Sequence, residues 1–288
     1  MTGPTSDAEV PTFWQGLGLP GLADVHIDFV PPRMLRRIWE QSSDAAERTP
    51  TIYRWSDDER VEHLRAMGVR AYTALAYADQ PGMAADLNAW TLDFASRTHG
   101  CLPGGTLYPE PGVNRYTHAA IDAGARIFKI RFQVGDVSPA HAMLDAVWGV
   151  LAEVGIPVII DDCPGQYDDV QPLSAVLRRH PRLTAIVAHL GAPDYAGFLD
   201  LVEKYDRVCL DTSLGFTPFL EDRIPFPRAH LARLRELGLR GKVLLGTDFP
   251  NLPHPYAKQL SALAELNLGE DWLRAVCWNN AANLFELS

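Results

Sequence analysis

Cysteine is scarce in this chain of 288 residues, which has four: Cys101, Cys163, Cys209 and Cys277. They are widely spaced and form no C-x-x-C pair, which argues against a structural zinc knuckle and against a disulfide framework. The sequence therefore predicts four reduced, mostly buried thiols, as is usual for a protein of the cytoplasm.

Positive charge is also in deficit, because 26 Lys and Arg face 36 Asp and Glu, for a formal charge of -10. A pI near 5.3 without a basic run argues against nucleic-acid and anionic-membrane partners. No apolar run is long enough to span a bilayer. The first residues, "MTGPTSDAEVPTFWQG", lack the basic and apolar regions of a signal peptide, so the predicted location is cytoplasmic.

What the chain does contain is a regular alternation of short apolar strands and amphipathic helices. No G-x-G-x-x-G follows a strand, which argues against a dinucleotide-binding unit. Continuous apolar runs separated by helices are typical of parallel strands covered on both faces, and eight of them over about 250 residues predict a (β/α)8 TIM barrel. The predicted strands are Leu22–Phe29, Val69–Tyr77, Leu102–Tyr108, Arg126–Phe132, Pro157–Asp162, Leu183–His189, Arg207–Thr212 and Lys242–Thr247.

The helices have recognisable ends. Ser56 and Glu59 form a predicted capping box, and Gly68 ends that helix. Ser138-Pro139 is expected to start a helix that ends at Gly155.

We predict one domain over residues 1–288, with 1–20 as an N-terminal extension and a C-terminal closing helix. Residues 31–60 exceed a simple βα connection and predict an excursion over the barrel mouth after the first strand. Trp39, Tyr53 and Trp55 are available there to line the mouth.

Polar residues accumulate at the predicted carboxyl ends of the strands, where barrels carry their function. In "DVHIDF", alternation places Asp24, His26 and Asp28 on one face of the first strand. Charges inside apolar strands are costly unless they are paired or coordinated, so their repetition predicts a functional site. The other members of this set are Lys129, Arg131, Asp161, Asp162, His189, Asp211 and Asp248.

Nearly the whole chain resembles the amidohydrolase superfamily, in the branch that includes aminocarboxymuconate-semialdehyde decarboxylase. The resemblance rests on the order and spacing of "DVHIDFVPP", "IPVIID", "AIVAHLGAP", "LLGTDFP" and "NAANLF". It implies a TIM barrel with one or two metal ions at its mouth, held by H-x-H on strand one, His residues on strands five and six, and Asp on strand eight. His26, His189 and Asp248 match this pattern.

Two positions depart from the pattern. Asp28 stands in place of the second His of strand one, and Asp161 stands in place of the strand-five His, with its neighbour Asp162 as the alternative. Three carboxylates around one point, Asp28, Asp161 and Asp248, cannot all remain ionised without a cation among them.

Two solutions stay open for that cation. A divalent ion, Zn or Mn, would be held by His26, Asp28, Asp161 and Asp248. Alternatively, no metal is bound and Arg131 supplies the positive charge. We expect Lys129 at the rim or on the other face of its strand, as a second substrate-binding candidate beside Arg131. A carbamylated Lys129 that bridges two metals is a further alternative. Asp211 is expected to order the strand-seven loop.

The resemblance implies an enzyme acting on a small carboxylated cyclic or aromatic molecule, either a hydrolase or a non-oxidative decarboxylase. Asp248 would be the general base, His189 and His26 would assist, and Arg131 would bind the substrate carboxylate. A metal-independent acid–base enzyme, for lactone hydrolysis, dehydration or cyclisation, is the alternative, and a non-catalytic binding barrel is a third. Family members are often dimers, so a homodimer is one expectation.

Overall fold

Eight parallel strands follow one another around the sheet in the order of the sequence, so the predicted (β/α)8 barrel is confirmed. The computed structural model describes residues 2–44, 51–132, 138–161 and 170–287. The strands are β1 Leu22–Asp24, β2 Val69–Ala74, β3 Cys101–Thr106, β4 Ile127–Arg131, β5 Val158–Asp161, β6 Ala185–Val187, β7 Val208–Asp211 and β8 Val243–Leu244.

Backbone hydrogen bonds between the first and last strand segments close the barrel. The amide of Val25 donates to the carbonyl of Leu245 over 2.9 Å. Beyond the ends of β1 and β8, the amide of Asp248 donates to the carbonyl of His26 over 2.9 Å. The two segments that carry the predicted site residues are therefore held directly against each other.

Helices surround the strands and bury their apolar faces. They are α1 Val10–Gly16, α2 Pro32–Asp44, α3 Asp57–Met67, α4 Ala84–Ser96, α5 Val113–Asp122, α6 Asp145–Val154, α7 Gln171–Arg179, α8 Tyr195–Lys204, α9 Pro218–Glu221, α10 Leu231–Leu239, α11 Tyr256–Glu265, α12 Glu270–Arg274 and α13 Asn280–Phe285. A π-helical segment, Ala275–Asn279, joins α12 to α13, so the predicted closing helix is present. No helix in these ranges has the length and apolar character needed to cross a bilayer.

Local sequence signals set the ends of α3. The Ser56 hydroxyl accepts from the Glu59 amide while the Glu59 carboxylate accepts from the Ser56 amide, and Gly68 ends the helix in a left-handed conformation. The helix predicted to start at Ser138-Pro139 starts later. α6 begins at Asp145, after a 3-10 turn over Ala142–Leu144, and Gly155 ends it as predicted.

The N-terminal residues and the excursion after β1 are tied to the barrel mouth by Asp7. Its carboxylate accepts hydrogen bonds from the Tyr53 hydroxyl (2.5 Å) and the Ala257 amide (2.8 Å), and it pairs with His63 Nε2 (2.8 Å). Tyr53 is buried, and its ring packs against Phe249. Tyr53 therefore packs beneath the surface of the barrel mouth and does not line it as we expected. The one-domain division with residues 1–20 as an extension remains a prediction.

Candidate active site at the barrel mouth

The carboxyl ends of the strands and the segments that follow them bring charged side chains from five strand positions to one point. Asp211 joins them from the end of β7, directly beneath His26. Most of these side chains are buried, so each must be charge-paired or hydrogen-bonded. The group consists of His26, Asp28, Lys129, Arg131, Asp161, His189, Asp211 and Asp248.

Lys129 lies at the centre of this group. Its Nζ is 2.9 Å from His26 Nε2, 2.8 Å from Asp28 Oδ1 and 3.1 Å from Asp161 Oδ2. The side chain is 1 % exposed. The expectation that Lys129 lies at the rim or faces away is therefore wrong, because alternation along β4 points Lys129 and Arg131 to the same side and Lys129 is the deeper of the two.

The charge state of Lys129 follows from its surroundings. Burial lowers the pKa of Lys129, but Asp161 and Asp28 outweigh burial and raise that pKa above its ordinary value of 10.5. Lys129 is therefore an ammonium. Because carbamylation requires a neutral amine, this ion pairing disfavours a carbamylated lysine.

His26 is held between a carboxylate and the ammonium. Its Nδ1 donates to Asp211 Oδ2 over 2.9 Å, and its Nε2 accepts from Lys129. Burial and Lys129 lower the pKa of His26, and Asp211 raises it to give a net increase. Only one proton fits between the two nitrogens, and the raised pKa of Lys129 keeps that proton on Nζ.

His189 is a cation in contact with Asp161. Its Nε2 is 3.2 Å from Asp161 Oδ1 and its Nδ1 is 3.0 Å from the Ser213 carbonyl, so both ring nitrogens face acceptors. Burial lowers the pKa of His189, but Asp161 outweighs it and the pKa rises to about 10. Burial raises the pKa of Asp161, yet Lys129 and His189 bring it well below 3.8.

Asp28 is the second carboxylate on the ammonium. One oxygen accepts from Lys129, and the other accepts from Asn251 Nδ2 over 3.0 Å. Asp162, the alternative to Asp161, lies outside the described residues. Asp161 itself occupies the site position that the sequence favoured for it.

Asp248 is on the solvent side of the group, with 18 % of its side chain exposed and Oδ1 3.7 Å from His26 Nε2. Among the described residues, no side chain or amide donates a hydrogen bond to its carboxylate. Burial raises the pKa of Asp248, with His26 acting in the opposite direction. Its φ of 69° is left-handed, a conformation that is uncommon outside glycine and that Asp adopts more readily than most residues. His189 shares this feature, with φ 55°.

Arg131 forms the accessible cationic edge of the site. It is 25 % exposed, its Nε is 4.0 Å from Asp161 Oδ2, and its guanidinium lies 4.5 Å from the centroid of the Tyr77 ring. Stacking on an aromatic ring holds a guanidinium in a defined plane. Its fork is therefore oriented at the rim, above the buried Lys129.

Asp24 does not join this group, although alternation predicted that it would. The regular strand β1 ends at Asp24, so the alternation of a strand does not extend to His26 and Asp28. The Asp24 carboxylate instead accepts from the Thr247 hydroxyl (2.7 Å) and the Tyr256 hydroxyl (2.9 Å). Burial raises the pKa of Asp24 to about 7.

Several residues of the site were missed from the sequence. Asn251 donates a hydrogen bond to Asp28, the Ser213 carbonyl contacts His189, and the Tyr77 ring stacks against the Arg131 guanidinium. Gly246 was also missed, although the motif "LLGTDFP" contains it. A Cβ at this position would lie 2.9 Å from Cγ of Asp211, so only glycine leaves room for the Asp211 carboxylate.

The donor set does not fit the expected metal ion. Zinc ligands lie about 2.0–2.2 Å from the metal, and a divalent ion held by His26, Asp28 and Asp161 would have to take the place that the Lys129 ammonium occupies. Within the described ranges, no group of three or more His, Cys, Asp or Glu side chains is arranged to hold an ion.

A barrel with acid–base residues at the carboxyl ends of its strands belongs to the class of TIM-barrel enzymes. The family model described as Amidohydrolase matches residues 23–287. The chain therefore belongs to the amidohydrolase family, and the predicted family and enzyme class are confirmed. A search of curated proteins found no match.

Solved structures share the fold at low sequence identity. The 5-carboxyvanillate decarboxylase of Sphingomonas paucimobilis is 15% identical, with TM-score 0.66, over 93% of this chain and 100% of that one. A candidate 2-pyrone-4,6-dicarboxylic acid hydrolase of Pseudomonas putida is 18% identical, with TM-score 0.65, over 93% and 98%. A dihydroxybenzoic acid decarboxylase of Polaromonas sp. JS666, with bound manganese and the inhibitor 2-nitroresorcinol, is 14% identical, with TM-score 0.67, over 93% and 98%.

Proposed function

We propose that this enzyme hydrolyses a small cyclic ester or amide that carries a carboxylate. The observation that carries the proposal is the position of Asp248, a carboxylate on the solvent side of the buried Lys129 ammonium that accepts no hydrogen bond from the part of the chain that the structure describes. Water bound there would lose a proton to Asp248 while its oxygen attacks the ring carbonyl. The ring C–O or C–N bond would then break as Asp248 returns that proton to the leaving oxygen or nitrogen.

The cations of the site support this chemistry. His189 and Lys129 provide a fixed positive field next to the reacting carbonyl, where negative charge develops on oxygen. Lys129 is buried and its three donors are used, so it would act through this field without touching the substrate. Arg131, oriented by Tyr77 at the rim, would bind the substrate carboxylate.

A divalent ion has no step in this proposal. The manganese-containing relative shows that this fold uses such ions, but here the Lys129 ammonium meets the side chains that would coordinate one. The expected Zn or Mn site therefore gives way to the expected metal-independent alternative, with Lys129 in the position that we assigned to Arg131. A homodimer, a cytoplasmic location and the absence of nucleic-acid partners remain predictions.

Non-oxidative decarboxylation is a second candidate, because relatives with the same fold are named decarboxylases. In that reaction the C–C bond to the carboxylate breaks, CO2 leaves, and a proton from Asp248 reaches the ring carbon.

The test is a panel of carboxylated 2-pyrones, lactones and hydroxybenzoates assayed for ring-opened acid and for CO2. Asp248→Asn is expected to lower kcat about 10²- to 10⁴-fold. Asp271→Asn, an exposed substitution of the same kind on α12, should leave kcat unchanged. Release of CO2 without ring opening would replace hydrolysis by decarboxylation. Wild-type kcat in Asp248→Asn, or no turnover across the panel, would overturn the proposal.

A further inference from the structure

We propose that the Lys129 ammonium is a built-in replacement for a divalent cation: it holds the point where His26, Asp28 and Asp161 converge, so this chain binds no divalent ion there and would do so once the lysine is removed.

The geometry matches an ammonium in both number and distance. Lysine has three N–H donors, and three acceptor atoms lie 2.8–3.1 Å from Nζ, on His26, Asp28 and Asp161. These are the lengths of charge-assisted hydrogen bonds, whereas metal–oxygen and metal–nitrogen bonds of zinc are about 2.0–2.2 Å. The pocket floor is therefore spaced for a nitrogen that donates protons.

The remaining atoms of these acceptors are also occupied. The second oxygen of Asp28 accepts from Asn251, the second oxygen of Asp161 faces His189, and Nδ1 of His26 donates to Asp211. Each acceptor is thus oriented toward Nζ by a partner on its other side. These partners keep the three acceptors directed at one point when the lysine is shortened, and a divalent ion at that point would draw them closer together.

Burial makes the ammonium necessary in the absence of an ion. Lys129 and His26 are almost fully enclosed, and the side chains of Asp28 and Asp161 are 6 % exposed. Without Lys129, Asp161 would keep His189 as a cationic partner, but Asp28 would be a buried carboxylate beside the neutral Asn251 amide, at a large desolvation cost. Lys129→Ala would leave that charge unbalanced and a space beside it, which is the condition under which a divalent ion is favoured.

This inference deepens the proposed function, because it states what supplies the positive charge at that site. Its test measures ion binding and not turnover. The inference about Lys129 can therefore fail while the proposed hydrolase activity is supported, and the proposed activity can fail while the inference is supported.

The experiment compares tag-free wild type, Lys129→Ala and the exposed-lysine control Lys204→Ala, each dialysed and then titrated with Mn²⁺ or Zn²⁺. The readouts are metal content by elemental analysis and Tm. Wild type and Lys204→Ala are expected to retain no stoichiometric ion and to show no Tm increase. Lys129→Ala is expected to bind about one equivalent and to gain about 5 °C at a hundredfold excess of free ion over Kd.

Lys129→Met is the comparison that fills the same space. Its apolar side chain is of similar length, so it should exclude the ion, and it cannot donate the hydrogen bonds of Lys129. If Lys129→Ala does not fold alone, it is refolded from urea with and without the ion. If the folded state is recovered only when the ion is present, the inference is supported. If the same amount of folded protein is recovered with and without the ion, the inference is overturned. Stoichiometric metal in wild type, or folded Lys129→Ala that binds none, also overturns it.

Discussion

His26 and Asp211 form a buried pair in which Nδ1 of the imidazole lies 2.9 Å from Oδ2 of the carboxylate, with neither side chain exposed. The other oxygen of Asp211 accepts from the amides of Ser213 and His189. One carboxylate thus fixes the ring of His26 and the backbone that presents His189.

Asp211→Asn is therefore expected to destabilise the fold. If the amide oxygen serves the two backbone donors, its NH2 group faces the donor Nδ1 of His26, and the two donors repel. We expect a loss of about 2–4 kcal/mol in the free energy of unfolding, measured by urea denaturation. Asp206→Asn, at an exposed position, is the control, and equal free energies for the two variants would contradict this assignment.

Arg131→Gln is expected to affect substrate binding more than the chemical step. The guanidinium is partly exposed at the rim and stacked on Tyr77, and a charged hydrogen bond is worth about 1.5–3 kcal/mol, or about 10- to 100-fold in KM. Steady-state kinetics on the substrate found in the panel measure this split, with Arg240→Gln as control. A fall in kcat at constant KM would assign Arg131 to the reaction instead.

Arg131→Lys separates charge from shape at the same position. Because an ammonium lacks the planar fork that pairs with a carboxylate in two hydrogen bonds, we expect KM between those of wild type and Arg131→Gln. A KM equal to that of Arg131→Gln would show that the fork, and not the charge, binds the substrate.

Asp7 is expected to stabilise the chain at neutral pH and to lose this effect in acid. Burial raises its pKa, but hydrogen bonds from His63, Tyr53 and Ala257 outweigh burial and hold the pKa below 3.8. The stabilisation is thus complete above the ordinary pKa of 3.8 and disappears as the pH falls through the lowered pKa.

Urea unfolding of wild type and of Asp7→Asn, from neutral pH down to below the ordinary Asp pKa of 3.8, measures the stabilisation by Asp7. We expect a difference of about 1–3 kcal/mol at neutral pH, which narrows in acid. Asp206→Asn, at an exposed position between α8 and β7, should follow wild type throughout. A difference independent of pH would show that the charge of Asp7 has no part in the stabilisation.

Ser56→Ala is expected to cost about 1 kcal/mol in the free energy of unfolding, because it removes the hydroxyl that caps α3. Ser96→Ala, at the last residue of α4, removes a hydroxyl that caps no helix start and is the matched control. Equal effects of the two substitutions in urea denaturation would argue against the capping box.

The barrel and the order of its strands could be predicted because continuous apolar runs and helix-end signals are local properties of the sequence. The convergence of His26, His189 and Asp248 also followed from the strand ends once the barrel was assumed. The boundaries were less accurate: β8 is Val243–Leu244, whereas Lys242–Thr247 was predicted, because the chain leaves the regular ladder to reach Asp248.

The central place of Lys129 could not be read in this way. Whether a long side chain lies at a rim or between carboxylates depends on partners from β1 and β5, which are about 100 and 30 residues distant along the chain. The same holds for Asp24, whose partners Thr247 and Tyr256 are 223 and 232 positions distant along the chain. The left-handed backbone at His189 and Asp248 is uncommon even for Asp and His, which adopt it more readily than most residues, and no local motif in the sequence marks where it occurs.

The contact between Thr247 and Asp24 joins residues 223 positions apart, and the hydrogen bond from Asp248 to His26 lies beside it. Closing so long a loop costs entropy before any contact is gained, so these bonds are expected to form late in folding. During synthesis, β1 leaves the ribosome 223 positions before Thr247, its partner across the barrel closure. The acid–base group that includes His26 and Asp248 can therefore assemble only after the segment that follows β8 has been translated.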